Sequence, residues 1–202
     1  MVAQPLDMAA RHKAMGPVDS EGGEFWLENP WHFEMADFNL SMFEHNCLFF
    51  SNRANDFTEF GYLSGTDMDS DTRAVAVGDI NNDGMPDLLI RNVGGGPLKV
   101  FLNNLPPRNY LKLSLLGVKS NGLGIGARLI CELPGRKIYR DMFPENTLAS
   151  QNPAQIIFGL DDCQRVESLT IRWPSGTVQK FSGIPANQHI QVTEGSDNFE
   201  TL

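Results

Sequence analysis

The chain has 202 residues, a formal net charge of −9 and 41% hydrophobic content. That length suits one or two domains with modest cores, while the acidic balance argues against nucleic acid, whose phosphates need a basic surface, and against docking on anionic lipid. No stretch approaches the roughly 18 apolar residues of a membrane span, and nineteen glycines, twelve prolines and many short apolar runs point to an all-β chain.

Residues 1–45 read as an irregular arm, with a short helix expected at Leu6 to Met15, where Ala and Met dominate. This start is mixed, with Asp7, Arg11, His12 and Lys13, and lacks the apolar core of a signal peptide, so export is expected on other grounds. The stretch Phe25 to Phe43 is dense in aromatics, including Trp26, Trp31, Phe33 and Phe38, yet follows no single period. It reads as a segment that docks on a surface, either within this chain or on another protein.

Residues 46–105 read as blade material. Cys47-Leu48-Phe49-Phe50 and Phe57-Thr58-Glu59-Phe60 form a hairpin pattern around a turn at Asn52 to Asp56. Next come Asp67, Asp69 and Asp71 at alternate positions; with Thr72 where a calcium loop wants Gly, they read as a solvated acidic loop rather than a second ion site.

The nine residues Asp79 to Asp87, DINNDGMPD, carry the strongest chemical signal. Calcium takes six to eight oxygens at about 2.3–2.6 Å, and a compact loop supplies them from positions 1, 3, 5, a backbone carbonyl at 7, and position 9. Those slots hold Asp79, Asn81, Asp83, Met85 through its carbonyl, and Asp87; Gly84 sits at position 6, where the chain turns sharply. Three carboxylates crowded to about 4 Å would repel by roughly 4 kcal/mol per pair at an effective dielectric of 20, so a divalent ion would order the loop. The alternative is a solvated turn, since Asn, Asp and Gly are ordinary turn residues.

Position 12 is Ile90, which excludes the helix-loop-helix type, and the flanks Ala74 to Val77 and Leu88 to Ile90 are strand-forming. Strand, calcium loop, strand resembles the FG-GAP or VCBS repeat, a blade of β-propellers. The following strand, Leu98 to Asn104, alternates and ends in Asn-Asn, as such blades do. Pro106-Pro107 then breaks the pattern, since proline cannot donate to a strand ladder.

Residues 108–195 change texture. Strands are expected at Tyr110 to Leu116, Ala127 to Leu133, Arg136 to Met142, Ile156 to Phe158, Ser168 to Trp173, Val178 to Phe181 and Ile190 to Thr193, with turns at Pro134-Gly135 and Trp173-Pro174-Ser175-Gly176. So many short strands suggest a small sandwich or barrel, and residues 196–202 are left as a tail. The cysteines, Cys47, Cys131 and Cys163, are odd in number and widely spaced; they read as buried small hydrophobes, with a Cys131–Cys163 bridge as the alternative.

Asn121 with Gly124-Ile125-Gly126-Ala127-Arg128, then Phe158-Gly159-Leu160, Ile171 to Gly176, Gln179 and Val192-Thr193-Glu194-Gly195 together resemble the ASPIC/UnbV domain. That domain follows FG-GAP propellers in cartilage-acidic-protein-like proteins. The resemblance implies a secreted or otherwise extracytoplasmic binding or adhesion protein, and calcium at Asp79, Asn81, Asp83, Met85 and Asp87. A propeller closes with about four or more blades, so one blade and part of another leave strand edges that the arm or a partner must cover.

Enzyme motifs are missing: the sequence holds no GxSxG elbow, HExxH helix or phosphate-cradling loop, and His12, His32, His45 and His189 are scattered. The expected function is a non-enzymatic, calcium-stabilised protein-binding module, an accessory subunit of a larger extracytoplasmic assembly, a membrane-bound one included. A free-standing secreted adhesion protein or binder of carbohydrate or matrix, with Trp26 or Trp31 stacking on sugar rings, is the alternative, and an enzyme of unknown chemistry is the second.

Overall fold

A computed structural model describes residues 4–5, 38–39, 45–51, 56–68, 72–92, 98–144, 146–147 and 150–202. Among the described residues the fold is all-β apart from one helical turn. The chain divides into two compact units, Met1–Val75 with Leu89–Phe101, and Ala76–Leu88 with Leu102–Leu202.

In the first unit β1 (Gln4–Pro5) pairs with β2 (Phe38–Asn39), and β3 (Phe49–Ser51) pairs antiparallel with β4 (Phe57–Glu59) as the expected hairpin. Its β-rich, aromatic strands suit this pairing, but Phe49, Phe50 and Phe57 stay exposed. The turn α1 (Gly61–Ser64) follows and is closed by Gly65 at φ 76°, the left-handed conformation of a helix C-cap. β5 (Thr72–Gly78), β6 (Asp87–Asn92) and β7 (Lys99–Phe101) run in that order as a three-stranded sheet, and the first two continue into the second unit. The helix expected at Leu6 to Met15 and most of the aromatic stretch lie outside the described residues.

The second unit is a sandwich rather than a barrel. One sheet has the order β13-β8-β16-β17 and the other β10-β9-β14-β15. The strands are β8 (Asn109–Leu116), β9 (Arg128–Leu133), β10 (Arg136–Asp141), β13 (Gln155–Asp161), β14 (Arg165–Arg172), β15 (Val178–Pro185), β16 (Gln188–Thr193) and β17 (Phe199–Thr201). A small pair, β11 (Asn146–Thr147) and β12 (Ser150–Gln151), links β10 to β13. All seven expected strands are present. β17 lies in the stretch read as a tail: it pairs with β16, and Phe199 packs edge-to-face on Phe181 at 5.8 Å between ring centres.

The chain alternates between the sheets, which places β8 and β16 side by side and parallel. Period-two patterning then sends one face of each sheet inward. Leu111, Leu113, Phe158, Ile190 and Val192 from one sheet meet Leu129, Cys131, Leu169, Ile171 and Ile184 from the other in one core. Each such apolar side chain contributes about 1.5–3 kcal/mol on burial. Cys131 and Cys163 are both free, so the bridge alternative is not formed; Cys47 is exposed rather than buried, because it precedes the solvent-facing hairpin.

Candidate functional site

Within the second unit the loop Asp79 to Asp87 connects the ends of β5 and β6. Gly84 has φ 83° and Asn82 has φ 58°. Glycine is required at position 84 for a second reason: a Cβ there would lie 2.1 Å from the Tyr110 ring. The loop therefore rests on the outward face of β8.

Its acidic side chains turn towards backbone N–H groups. Asp79 Oδ1 accepts the Asp83 N–H at 3.0 Å and Oδ2 the Gly84 N–H at 3.1 Å. Asp83 Oδ1 accepts the Met85 N–H at 2.8 Å, while Asp83 Oδ2 accepts Asn81 Nδ2 at 2.8 Å. Asp87, fully buried, accepts the N–H groups of Ile80 and Asn103, each at 2.8 Å. Asn103 also donates its side-chain amide to Pro86 O, which gives the Asn-Asn end of the blade a role in holding the loop's base.

A cation of the protein's own enters this loop. Lys112, in the middle of β8, donates from Nζ to Asp79 Oδ2 at 3.1 Å and to Asn82 Oδ1 at 3.2 Å. The Lys112 and Asp79 side chains are 5% and 1% exposed. A pair so removed from water costs desolvation, and the extra hydrogen bonds to both partners offset that cost. Nothing in the sequence marked Lys112, because alternation along β8 puts it on the outward face, where Lys is usually solvated.

Burial, then the charges of Asp79 and Asp83, raise the Tyr110 hydroxyl pKa above its ordinary value. On the adjacent strand His189 Nε2 lies 2.8 Å from Ser114 Oγ; burial, then Lys112, lower the His189 pKa, against the opposing pull of Asp79.

The structure thus brings Asp79, Asn81 and Asp83 into one hydrogen-bonded turn, Met85 following, with Asp87 at its base. The donor set is all oxygen, the hard type calcium takes, but both lone pairs of Asp79 Oδ2 are taken by the Gly84 N–H and Lys112. Among the described residues no three acidic, His or Cys side chains converge as a metal cage would. In the other acidic cluster, Asp67 Oδ1 lies 2.7 Å from His45 Nδ1, and Asp69 and Asp71 lie outside the described residues.

Beside the loop a groove of about 300 Å³ is lined by Val77, Asp79, Pro86, Arg140, Phe143 and Asn152, among others. Asn152 Oδ1 accepts the Val77 N–H at 2.7 Å, which occupies a backbone donor of β5.

The motif residues of the sandwich gather at one end around Glu194. Its Oε2 accepts the N–H groups of Val118, Lys119 and Ser120 at 2.7–2.8 Å, and its Oε1 accepts the hydroxyls of Ser120 and Ser175. Burial works to raise its pKa, but the bonds from Ser120, Ser175, Val118 and Lys119 outweigh it and hold the carboxyl at about 2. Asn121 and Ile125 exchange hydrogen bonds, and Gln179 donates to Thr193 O and Ser196 O while accepting from Gly195. The Trp173 to Gly176 turn closes at 2.9 Å. Asn121, Ser175, Gln179 and Glu194 therefore act as a structural tie between loops.

The second unit is thus an all-β sandwich that carries the loop Asp79 to Asp87 on one sheet and spends its polar motif residues on loop tethering. Residues 72–101 match the family model of the FG-GAP repeat, and residues 117–198 the model described as ASPIC and UnbV. The C-terminal region thus carries an FG-GAP repeat followed by an ASPIC/UnbV domain, generally non-catalytic modules, which makes the chain a protein-interaction or adhesion-type module. No curated protein matches it. β8, which holds Lys112 and Tyr110, precedes the matched ASPIC/UnbV segment although it is central to its sheet.

Proposed function

We propose that this protein is a non-enzymatic, calcium-stabilised accessory subunit that docks on a larger protein assembly outside the cytoplasm. The observation that carries the reading is the exposed apolar set of the first unit. Phe49, Phe50 and Phe57 on the hairpin, with Tyr62 and Leu63 in the turn after it, are 50–82% exposed. Large apolar side chains left exposed within one short stretch of chain favour a partner. The aromatic residues Phe25 to Phe43 supply the docking arm in this reading.

Calcium at Asp79, Asn81, Asp83, Met85 and Asp87 fixes the blade. A loop without the position-12 Glu is expected to bind no tighter than extracellular modules do, about 10⁻⁴–10⁻³ M, which suits the high free calcium outside cells. No helix among the described residues is long and apolar enough to cross a membrane.

The test is co-purification of the full chain from its native source, compared with a Phe49→Ser/Phe57→Ser variant. The expected result is a stoichiometric protein partner lost in the variant at unchanged melting temperature. A wild-type chain that purifies as a lone monomer, with a melting temperature unmoved by partner extracts, overturns the subunit reading.

A further inference from the structure

We propose that the outer edge of β10 receives an extended acidic segment of a partner protein as an added strand. β10 is the end strand of its sheet. In an antiparallel pair the ladder bonds fall on alternate residues, and just beyond β10 the Met142 N–H donates to Ala127 O. By that parity Arg136, Ile138 and Arg140 bond to β9, while the N–H groups of Lys137, Tyr139 and Asp141 face away from the sheet. Among the described residues no hydrogen bond fills these three N–H groups. Asp141 O accepts the Phe143 N–H at 2.9 Å, so Lys137 and Tyr139 are the rungs open to a new strand.

Charge selects what this edge accepts. β9, β10, β14 and β15 together hold seven Arg or Lys and three Asp or Glu, in a chain whose net charge is −9. Cations on an edge strand guard against pairing with a like edge and admit a strand of opposite charge. A second copy would set one basic edge against another, which like charges oppose. Arg136 and Lys137 already meet Asp161 and Glu132. The Arg140 guanidinium meets Tyr139 O at 3.0 Å and no carboxylate among the described residues.

Arg140 also lines the groove of about 300 Å³, with Phe143, Asn152, Gln155 and Ile157. A strand laid on β10 therefore places a carboxylate opposite Arg140 on the groove side. Its neighbouring residue, opposite Tyr139, projects on the other face, where an apolar side chain packs on the exposed Tyr139 ring. Main-chain bonds then supply affinity and alternate side chains supply specificity. This surface belongs to the second unit and draws neither on the hairpin of the first unit nor on an ion in the Asp79 to Asp87 loop.

The probe is a fluorescein-labelled peptide of alternating Glu and Val, its binding to the full-length protein read by anisotropy. A second peptide of the same sequence carries N-methyl groups on alternate amides, which keeps the charge and blocks the ladder. Wild type is expected to bind the first and to bind the second at least about tenfold more weakly. Arg140→Glu should weaken the first peptide by about tenfold, the change that losing one hydrogen bond to a charged group produces. Tyr139→Pro removes an outward N–H without breaking a bond to β9 and should do the same at unchanged melting temperature. If Tyr139→Pro fails to fold, Arg140→Glu and the N-methylated peptide decide.

Equal binding of the two peptides shows a face that takes any polyanion and overturns the proposal. So does the absence of binding to wild type at millimolar peptide. Sedimentation of the protein alone covers the remaining occupant: a wild-type dimer that Arg140→Glu disperses gives the edge to a second copy and overturns the partner strand.

Discussion

The ring of Tyr110 fills the space that a Cβ at residue 84 would occupy, with 2.1 Å between them. Gly84 is thus fixed by two independent demands, its φ of 83° and this contact. Gly84→Ala is expected to cost about 2 kcal/mol or more, since a non-glycine residue in the left-handed region costs of order 1–3 kcal/mol before any clash. Urea unfolding checks it. Gly135, also at positive φ but with nothing within 4 Å of a Cβ, is the control, and Gly135→Ala should cost less.

Asp79→Ala tests the buried pair itself. It leaves the Lys112 ammonium out of water with only Asn82 Oδ1 opposite, and removing one partner of such a pair costs about 3–5 kcal/mol. Adding Lys112→Met to Asp79→Ala removes the stranded charge and should recover part of that loss. A double variant no more stable than Asp79→Ala alone, measured by urea unfolding, contradicts the stranded-charge account.

Glu194 gives the sandwich an acid-sensitive tie. Its carboxyl is held at about 2 in the folded state, below the ordinary glutamate value of 4.5. A depressed folded pKa stabilises the protein fully above the unfolded value, and the contribution is lost as pH falls towards the folded one. Stability is therefore expected to decline from about pH 4.5 to about pH 2 through this group. Glu194→Gln should lower the melting temperature at pH 7 by several degrees and flatten the decline in that window. A variant with the same acid slope as wild type excludes Glu194 as its source.

Much of this architecture was readable from residue order. The seven sandwich strands show period-two patterning, and Pro134-Gly135 forms the two-residue connection between β9 and β10, with Gly135 at φ 74°. What escaped the sequence was long-range. Lys112 and Asp79 are 33 positions apart, and Lys112 is buried only because a loop from elsewhere in the chain covers its strand. Glu194 reaches across 74–76 positions to its three backbone donors, so the residues read as a motif were visible while their shared partner was not. β17 has only Phe199 facing inward, too short a pattern to register as a strand.

The cysteines supply a last prediction, about reactivity. Burial pushes the Cys131 thiol up to about 11, against the pull of Arg136, so almost none of it is thiolate at neutral pH. Cys47 is exposed on the first unit, and Cys163 is half-buried against the core. Under native conditions a thiol-specific disulfide reagent should modify Cys47 first and leave Cys131 untouched until the sandwich unfolds. Peptide mapping after timed labelling, with and without denaturant, reads the order directly. Because Cys131 lies in the common core of both sheets, its exposure reports opening of the sandwich. Calcium and EDTA should change that rate only to the extent that the loop on β8 stabilises the sheet beneath it. Native labelling of Cys131 as fast as Cys47 contradicts the core described for the sandwich.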